Sequence, residues 1–305
     1  MATAKKTTAK AAAKAPAKKA AAKAPVKTAP KKAVKIAGQK SMKIGFIGLG
    51  NMARAIIGGI IEKGNISPKD IIGSDISITA VENAKKDFGI NACLENAMVA
   101  EAADVLVLAV KPQYLQYSLE DVKPVLKKNV IIISIVAGKT VEYLEDMLGE
   151  NHSIVRCMPN TPALVGEACT AYTPNAKVSD SQVEIAEALI KCFGKAIRVP
   201  ESMMDAVVGV SGSAPAYVFM FIEAMADGAV AEGMPRKMAY EFAAQAVFGS
   251  AKLMMETGKH PGELKDMVCS PAGTTIEAVR VLEEGNFRAT VMDAVIECAE
   301  RSKML

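Results

Sequence analysis

The stretch "KIGFIGLGNMARAIIGGIIEKG", residues 43–64, constrains the fold of this chain more than any other. A short apolar run, 43–48, meets Gly48-Leu49-Gly50-Asn51-Met52-Ala53 and passes directly into a helical pattern closed by Gly64. The order is strand, glycine-rich turn, helix, with the GxGxxA spacing of a dinucleotide fingerprint. Gly48 permits the tight turn, Gly50 lets a pyrophosphate approach the backbone, and Ala53 keeps helix and strand close. Phosphate charge then meets the free N–H groups of the helix start. A lone fingerprint is weak evidence, but here a second apolar run, "DIIGSD" (70–75), follows the helix and completes a βαβ unit.

The same grammar continues. "ITAVENAKKDFG" (78–89) reads as helix, "DVLVLAV" (104–110) and "NVIIISIVAG" (129–138) as buried strands, and "HSIVRCM" and "KAIRVP" as shorter strand candidates. Apolar runs without alternation, separated by helices, indicate a parallel sheet covered on both faces. Strand signals stop after Glu201, where 213–233, 238–258 and 287–305 are helical. The expected fold is therefore α/β: a Rossmann-type doubly wound parallel sheet over 41–200, followed by an all-helical C-terminal dimerisation domain over 201–305. "SAPAYVFMFIEAMADGAVAEG" (213–233) carries the dimerisation reading, because it is apolar on nearly every face and a small domain has few places to bury such a helix. The alternative is an ordinary core helix.

Residues 1–40 are a different material, with twelve lysines, no arginine, no acid, and otherwise mainly Ala, Pro and Thr. Such a segment has little to bury and repels itself, so disorder is expected. It is a solvated extension, a nucleic-acid binder acting by counterion release, or, least in keeping with its lack of arginine, a targeting peptide. Removing its lysines from the 37 basic residues leaves 25 against 33 acids, so the folded part is net acidic and no basic surface can be inferred for it. The six cysteines show no CxxC pair or metal spacing, which fits reduced thiols in a cytoplasmic protein. His152 and His260 are the only histidines, too few to suggest a metal site or a Ser-His-Asp triad. "AYVFMFIEAMADGAVAEGM" is interrupted by Glu223 and Asp227, so no membrane span is expected.

The residues leave the nicotinamide cofactor open. Asp75 stands where an acid holds a ribose 2′-OH and favours NADH, Ser74 is a candidate for the 2′-phosphate of NADPH, and no arginine follows. "AVKPQ" (109–113) and "VAGKT" (136–140) end strands at the edge where such sheets bind ligands. Far downstream, "CSPAGTTIEAVRVLEEG" (269–285) runs Ser270, Gly273, Thr274 and Thr275 into a helical pattern. Backbone N–H groups left free there suit a small anion, although helix capping alone would also explain the hydroxyls.

With the fingerprint, "AVKPQ", "RCMPNTPALVGEA", "GVSGSAPAYVF" and "HPGELKDMVCSPAGTTIEAVRVLEEGNFRATVMDAV" in order, residues 42–305 resemble the pyrroline-5-carboxylate reductases. The resemblance implies reduction of the cyclic imine 1-pyrroline-5-carboxylate to L-proline with NADPH or NADH. It also implies subunits paired through an intertwined helical domain and assembled further, often into decamers. It places the cofactor on Ile47, Gly48, Leu49, Gly50, Asn51 and Met52, on Asn96, on Ala109, Val110, Lys111 and Pro112, and on Ile135, Val136 and Ala137. By the same resemblance Ser270, Gly273, Thr274 and Thr275 receive the substrate, the Thr275 hydroxyl bonds the ring nitrogen, and Ser211 and Ser213 line the site. His260 matches a helix-start position. Gly258 and Met267 stand where some members carry glutamate and asparagine. A hydroxyacid dehydrogenase of the 3-hydroxyisobutyrate type opens with a similar run but needs a lysine acid/base, and Val218 occupies that position here. A nucleic-acid-associated protein acting through the tail is the rival from another class.

Overall fold

The computed structural model of the chain describes residues 42–304, so the disordered-tail reading of residues 1–40 lies outside the described residues. Within them, eight strands form one sheet in the order β3-β2-β1-β4-β5-β6-β7-β8. β1 (Ile44–Ile47), β4 (Val105–Leu108) and β5 (Ile131–Ser134) are buried at every residue, which is why they read as apolar runs without alternation. β2 (Ile71–Ser74) and β3 (Asn91–Cys93) extend one side, and β6 (Ser153–Met158), β7 (Ala168–Pro174) and β8 (Gly194–Arg198) the other. The strand order reverses between β1 and β4, creating the crevice in which such sheets hold ligands.

The sheet is not wholly parallel as expected. β7 runs antiparallel to β6 while β8 runs parallel to β7. β6 reaches β7 through a short 3₁₀ turn, Thr161–Val165, with no crossover helix to restore direction. β3 and β7 were not legible beforehand: β3 has three residues, and "ACTAYTP" mixes small and polar side chains.

α1 (Asn51–Gly64) occupies its expected span, but the left-handed residue that ends it is Asn65, at φ 51°, rather than Gly64. α2 (Ile78–Phe88), α3 (Asn96–Ala102), α4 (Pro112–Glu120), α5 (Val141–Leu148) and α6 (Asp180–Lys191) complete the cover of the sheet. At the junction with the helical segment, Glu201 Oε1 accepts from Arg156 Nη1 and from the Val141 N–H, both at 2.7 Å. Arg156 is buried and Glu201 part-exposed, and the pair ties β6, α5 and the start of the helical segment to one point.

Beyond it lie α7 (Met204–Val207), a π-helical turn (Val208–Gly212), α8 (Ala214–Ala231), α9 (Arg236–Thr257), α10 (Pro261–Val268), α11 (Thr274–Glu284) and α12 (Phe287–Ser302). α8 and α9 pack together, while α12 returns to α7 and the π turn, where Ser302 Oγ donates to Asp205 Oδ1 at 2.7 Å. α8 is not a core helix of the single chain: only Ala226 is buried, and Phe219 and Met220 are 66% and 69% exposed. Contrary to the expectation drawn from Glu223 and Asp227, the run Glu201–Ala231 is long and apolar enough to cross a bilayer by length and composition. Exposed apolar side chains continue on α9 (Phe242, Phe248, Met255) and α12 (Met292, Ile296), a surface of the extent that marks an interface.

At the switch point, Gly48 has φ 96°, and a Cβ there would lie 2.8 Å from the Ala109 carbonyl oxygen. Gly48→Ala combines backbone strain with a backbone clash, so it should lower stability by about 2 kcal/mol or more. A urea-unfolding midpoint equal to wild type would show that the turn and β4 do not touch.

Candidate active site

The glycine turn offers backbone and space. Gly50 caps α1 with φ −70° and ψ −177°, and no side chain bonds the first N–H groups of the helix. A Cβ at Gly50 would meet nothing within 4 Å, so the volume over the helix start is open. Ile47 and Leu49 bury their side chains in the sheet and can face a ligand only with backbone. Asn51 is exposed and Met52 half-buried beside them. Free N–H groups, open volume and a helix start together fit the pyrophosphate of a dinucleotide.

The end of β2 departs from expectation. Ser74 is completely buried, and its hydroxyl donates to Asn96 Oδ1 at 2.7 Å. Ser74 therefore orients Asn96 at the start of α3 and does not itself reach a 2′-phosphate. Asp75 turns back toward the glycine turn: its Oδ2 accepts from the Leu49 N–H at 2.8 Å and its Oδ1 from the Ser77 N–H at 2.9 Å. With both oxygens engaged by the chain, the carboxylate braces the loop that would carry the pyrophosphate. What stands beyond it is Ile76, 90% exposed, and the start of α2 capped by Ser77.

The other strand-end loops meet the turn. The Ala109 N–H donates to the Ile47 carbonyl at 2.8 Å, and the Ile135 N–H to the Leu108 carbonyl at 3.0 Å. These bonds bring Ala109–Pro112 and Ile135–Ala137 to the edge where Gly48 lies. Val136 is buried, so it too presents backbone alone. Lys111 caps α4 ahead of Pro112, with its side chain exposed and in no ion pair among the described residues.

The SPAGTT segment has the geometry of an anion cradle with one amendment. Gly273 caps α11, and no side chain bonds its first N–H groups. The Gly273 N–H is already donated to the Ser270 carbonyl at 3.1 Å, so the free donors are those of Thr274, Thr275 and the residue after them. Ala272 is held at φ 54°, and a Cβ on Gly273 would collide with Ser270 Oγ, so the turn is tightly wound. The Thr275 hydroxyl has no hydrogen-bond partner among the described residues. His260, by contrast, is a cap: its Nδ1 accepts from the Gly262 N–H at 3.1 Å at the start of α10.

Ser211 lies in the π turn with its hydroxyl facing inward, donating to the Cys169 carbonyl at 3.2 Å. Its hydroxyl is thus committed to the sheet side of the turn. Ser213 accepts from Cys298 Sγ at 3.1 Å. Beside them Tyr217 has its phenol raised above the ordinary value, first by its bond to Cys298 and then by burial. Asn160, Cys298 and Tyr217 were not singled out from the sequence. Asn160 lies inside "RCMPNTPALVGEA", but only the folded chain shows what its amide touches.

Burial lifts the Cys157 thiol far above its usual range and pushes Cys192 up to about 12, with Lys63 opposing the latter only in part. His152 has its pKa lowered by burial and by Lys123. Among the described residues no group of three His, Cys, Asp or Glu side chains is placed to hold a metal.

Among the described residues, every side-chain hydrogen bond and ion pair from Arg236 to Glu284 ends on residues between Asp227 and Arg288, and none reaches the sheet. The cradle therefore hangs on the helical arm whose apolar faces are uncovered.

Because both Asp75 oxygens accept from backbone N–H groups of the turn and of Ser77, Asp75→Asn should weaken NADPH and NADH binding alike, by about 1 kcal/mol or five-fold each. Fluorescence titration of both cofactors checks this. A change of more than about ten-fold in their ratio would mean that the carboxylate reads the 2′ position.

Known proteins resemble this chain over most of its length. The family model described as pyrroline-5-carboxylate reductase dimerisation matches residues 201–305, and that described as NADP oxidoreductase, coenzyme F420-dependent, matches 43–138. A pyrroline-5-carboxylate reductase of Escherichia coli K12 is 52% identical over 263 residues, covering 86% of this chain and 98% of that protein. The solved pyrroline-5-carboxylate reductase of Coxiella burnetii superposes with a TM-score of 0.81 at 34% identity, covering 87% of this chain and 98% of its own. The Plasmodium falciparum pyrroline carboxylate reductase, solved with NADP bound, gives 0.80 at 33% identity, covering 88% and 99%. The chain belongs to the pyrroline-5-carboxylate reductase family.

Proposed function

We infer that this protein reduces 1-pyrroline-5-carboxylate to L-proline, the closing step of proline biosynthesis, using a reduced nicotinamide dinucleotide. The observation that carries the reading is the α11 start: a tight turn with free N–H groups next to an unpartnered threonine hydroxyl, on a chain whose sheet edge fits a dinucleotide. NADPH is the preferred assignment, with NADH also accepted, since both Asp75 oxygens are already engaged by backbone N–H groups.

The cofactor supplies a hydride when bound. The chain supplies position. Gly48, Gly50 and the N–H groups of Asn51 and Met52 cradle the pyrophosphate, while Asn96, oriented by Ser74, and the loops Ala109–Pro112 and Ile135–Ala137 flank the remainder. Thr274 and Thr275 present N–H groups to the substrate carboxylate, with Ser270 and Gly273 shaping the turn. Hydride addition to the carbon of the protonated imine moves the C=N electron pair onto a nitrogen that already carries its proton, and the Thr275 hydroxyl would hydrogen-bond that nitrogen. No strong base is needed, so the site's lack of a positioned histidine is no handicap. Alignment supplies most of the acceleration.

The domains divide near residue 200, with the dinucleotide domain over 41–200 and the helical dimerisation and substrate domain over 201–305. Burial of α8 in a homodimer lets the arm of one subunit present its cradle to the sheet edge of the other. Further assembly, such as a decamer, uses surfaces left after pairing. The protein acts in the cytoplasm, and any nucleic-acid contact is confined to residues 1–40.

Two measurements test the reading. Purified protein should oxidise NADPH or NADH on addition of pyrroline-5-carboxylate, and inactivity of folded protein with both cofactors would refute it. Thr275→Ala should lower kcat by about ten-fold or more with cofactor affinity nearly intact; an unchanged kcat removes that hydroxyl from the mechanism.

A further inference from the structure

Asn160 closes a small ring of hydrogen bonds between the sheet and the helical segment. Its Oδ1 accepts from the Cys169 N–H at 2.9 Å, and its Nδ2 donates to the Ser211 carbonyl at 3.1 Å and to Ser211 Oγ at 3.4 Å. Ser211 Oγ in turn donates to the Cys169 carbonyl at 3.2 Å. Both backbone polar groups of one β7 residue, both ends of the amide and both oxygens of Ser211 are thus committed to one another. Asn160 is 9% exposed, so water competes little for these bonds.

What the ring holds is irregular. Ser211 lies in the π turn Val208–Gly212, where the Ser213 N–H bonds the Val208 carbonyl at 2.8 Å, five residues back. A π turn is rare and occurs mostly at functional sites, where surrounding contacts must maintain it. The far side is gripped as well. Cys298 Sγ donates to Ser213 Oγ, and α12 approaches so closely that a Cβ on Gly209 would lie 2.6 Å from the Val295 carbonyl oxygen. The turn is clamped between α12 and the sheet that carries the cofactor edge, and the sheet-side clamp is Asn160 together with Cys169.

We propose that Asn160 is a positioning residue for the reaction: it fixes the Ser211 turn against the sheet and so sets where the substrate wall stands relative to the cofactor. The proposal rests on the active-site reading above in placing that turn beside the substrate. Ser211 then acts through Asn160 and the turn's backbone, which accounts for a hydroxyl bonded to the Cys169 carbonyl.

Asn160→Asp separates positioning from folding. The carboxylate still accepts from the Cys169 N–H, but it cannot donate to Ser211 and sets an oxygen against the Ser211 carbonyl. The expected result is a loss of about ten-fold or more in kcat/KM for pyrroline-5-carboxylate, with the Kd for NADPH within about two-fold of wild type. The dimer should remain intact in sedimentation. Ser211→Ala, which keeps the Nδ2 bond to the Ser211 carbonyl, should lose less, about two- to three-fold. It carries the test if Asn160→Asp does not fold. Full kcat/KM in Asn160→Asp, or a loss matched by an equal weakening of NADPH binding, overturns the proposal; so does an unaffected Ser211→Ala where only that variant folds. Thr275→Ala in the same assay reports separately on the active-site reading, so failure of one idea is distinguishable from failure of the other.

Discussion

An apolar helix with uncovered faces governs this architecture. α8 leaves Phe219 and Met220 about two-thirds exposed in the single chain, and α9 and α12 add Phe242, Phe248, Met292 and Ile296. Covering each such side chain stabilises by about 1.5–3 kcal/mol, so together they provide a large drive toward pairing. The polar junction is built to withstand it: Glu201, Arg156 and the Val141 N–H fix the root of the helical segment to the sheet. The arm that carries the SPAGTT turn makes its own bonds locally, which leaves the cradle available to a second chain.

The sheet edge follows another rule. Its ligand-facing parts are mostly backbone, because the side chains at those positions are used elsewhere. Ile47, Leu49 and Val136 are core residues, Ser74 is spent on Asn96, and Asp75 on the Leu49 and Ser77 amides. Glycine appears where one backbone must approach another, as Gly48 does the Ala109 carbonyl. Such a site holds phosphate through oriented N–H groups that cost no reorganisation. The same economy recurs at α11, where Gly273 and Ala272 wind the turn and the helix start supplies the donors.

Periodicity and glycine placement carried most of the fold. α1 occupies its predicted span, the central strands fall where apolar runs lie, and the all-round apolar pattern of 213–233 announced an interface helix. β3 and β7 escaped because a three-residue strand and a mixed small-polar strand lack a hydrophobic period. The site was legible by residue type but not by direction. Sequence identifies Ser74, Asp75 and Ser211 as polar groups in the right loops, yet each turns its oxygen into the protein, a choice set by neighbours distant in the chain. Asn160 was hidden for the same reason: its partners lie nine and fifty-one residues away.

The central claim is that one subunit's glycine turn works with another subunit's α11 cradle, and subunit mixing tests it most directly. Gly50→Asp places a carboxylate where pyrophosphate would sit while keeping a favourable helix cap, since a Cβ there meets nothing. Thr275→Ala removes the hydroxyl set against the ring nitrogen while leaving the cradle's N–H groups in place. Each variant alone should be nearly inactive, and dissociating and reassociating an equal mixture should restore about a quarter of wild-type activity, because half the dimers gain one intact site. Activity no greater than the average of the two inactive parents would show that each chain builds its site from its own residues alone, and would contradict the account.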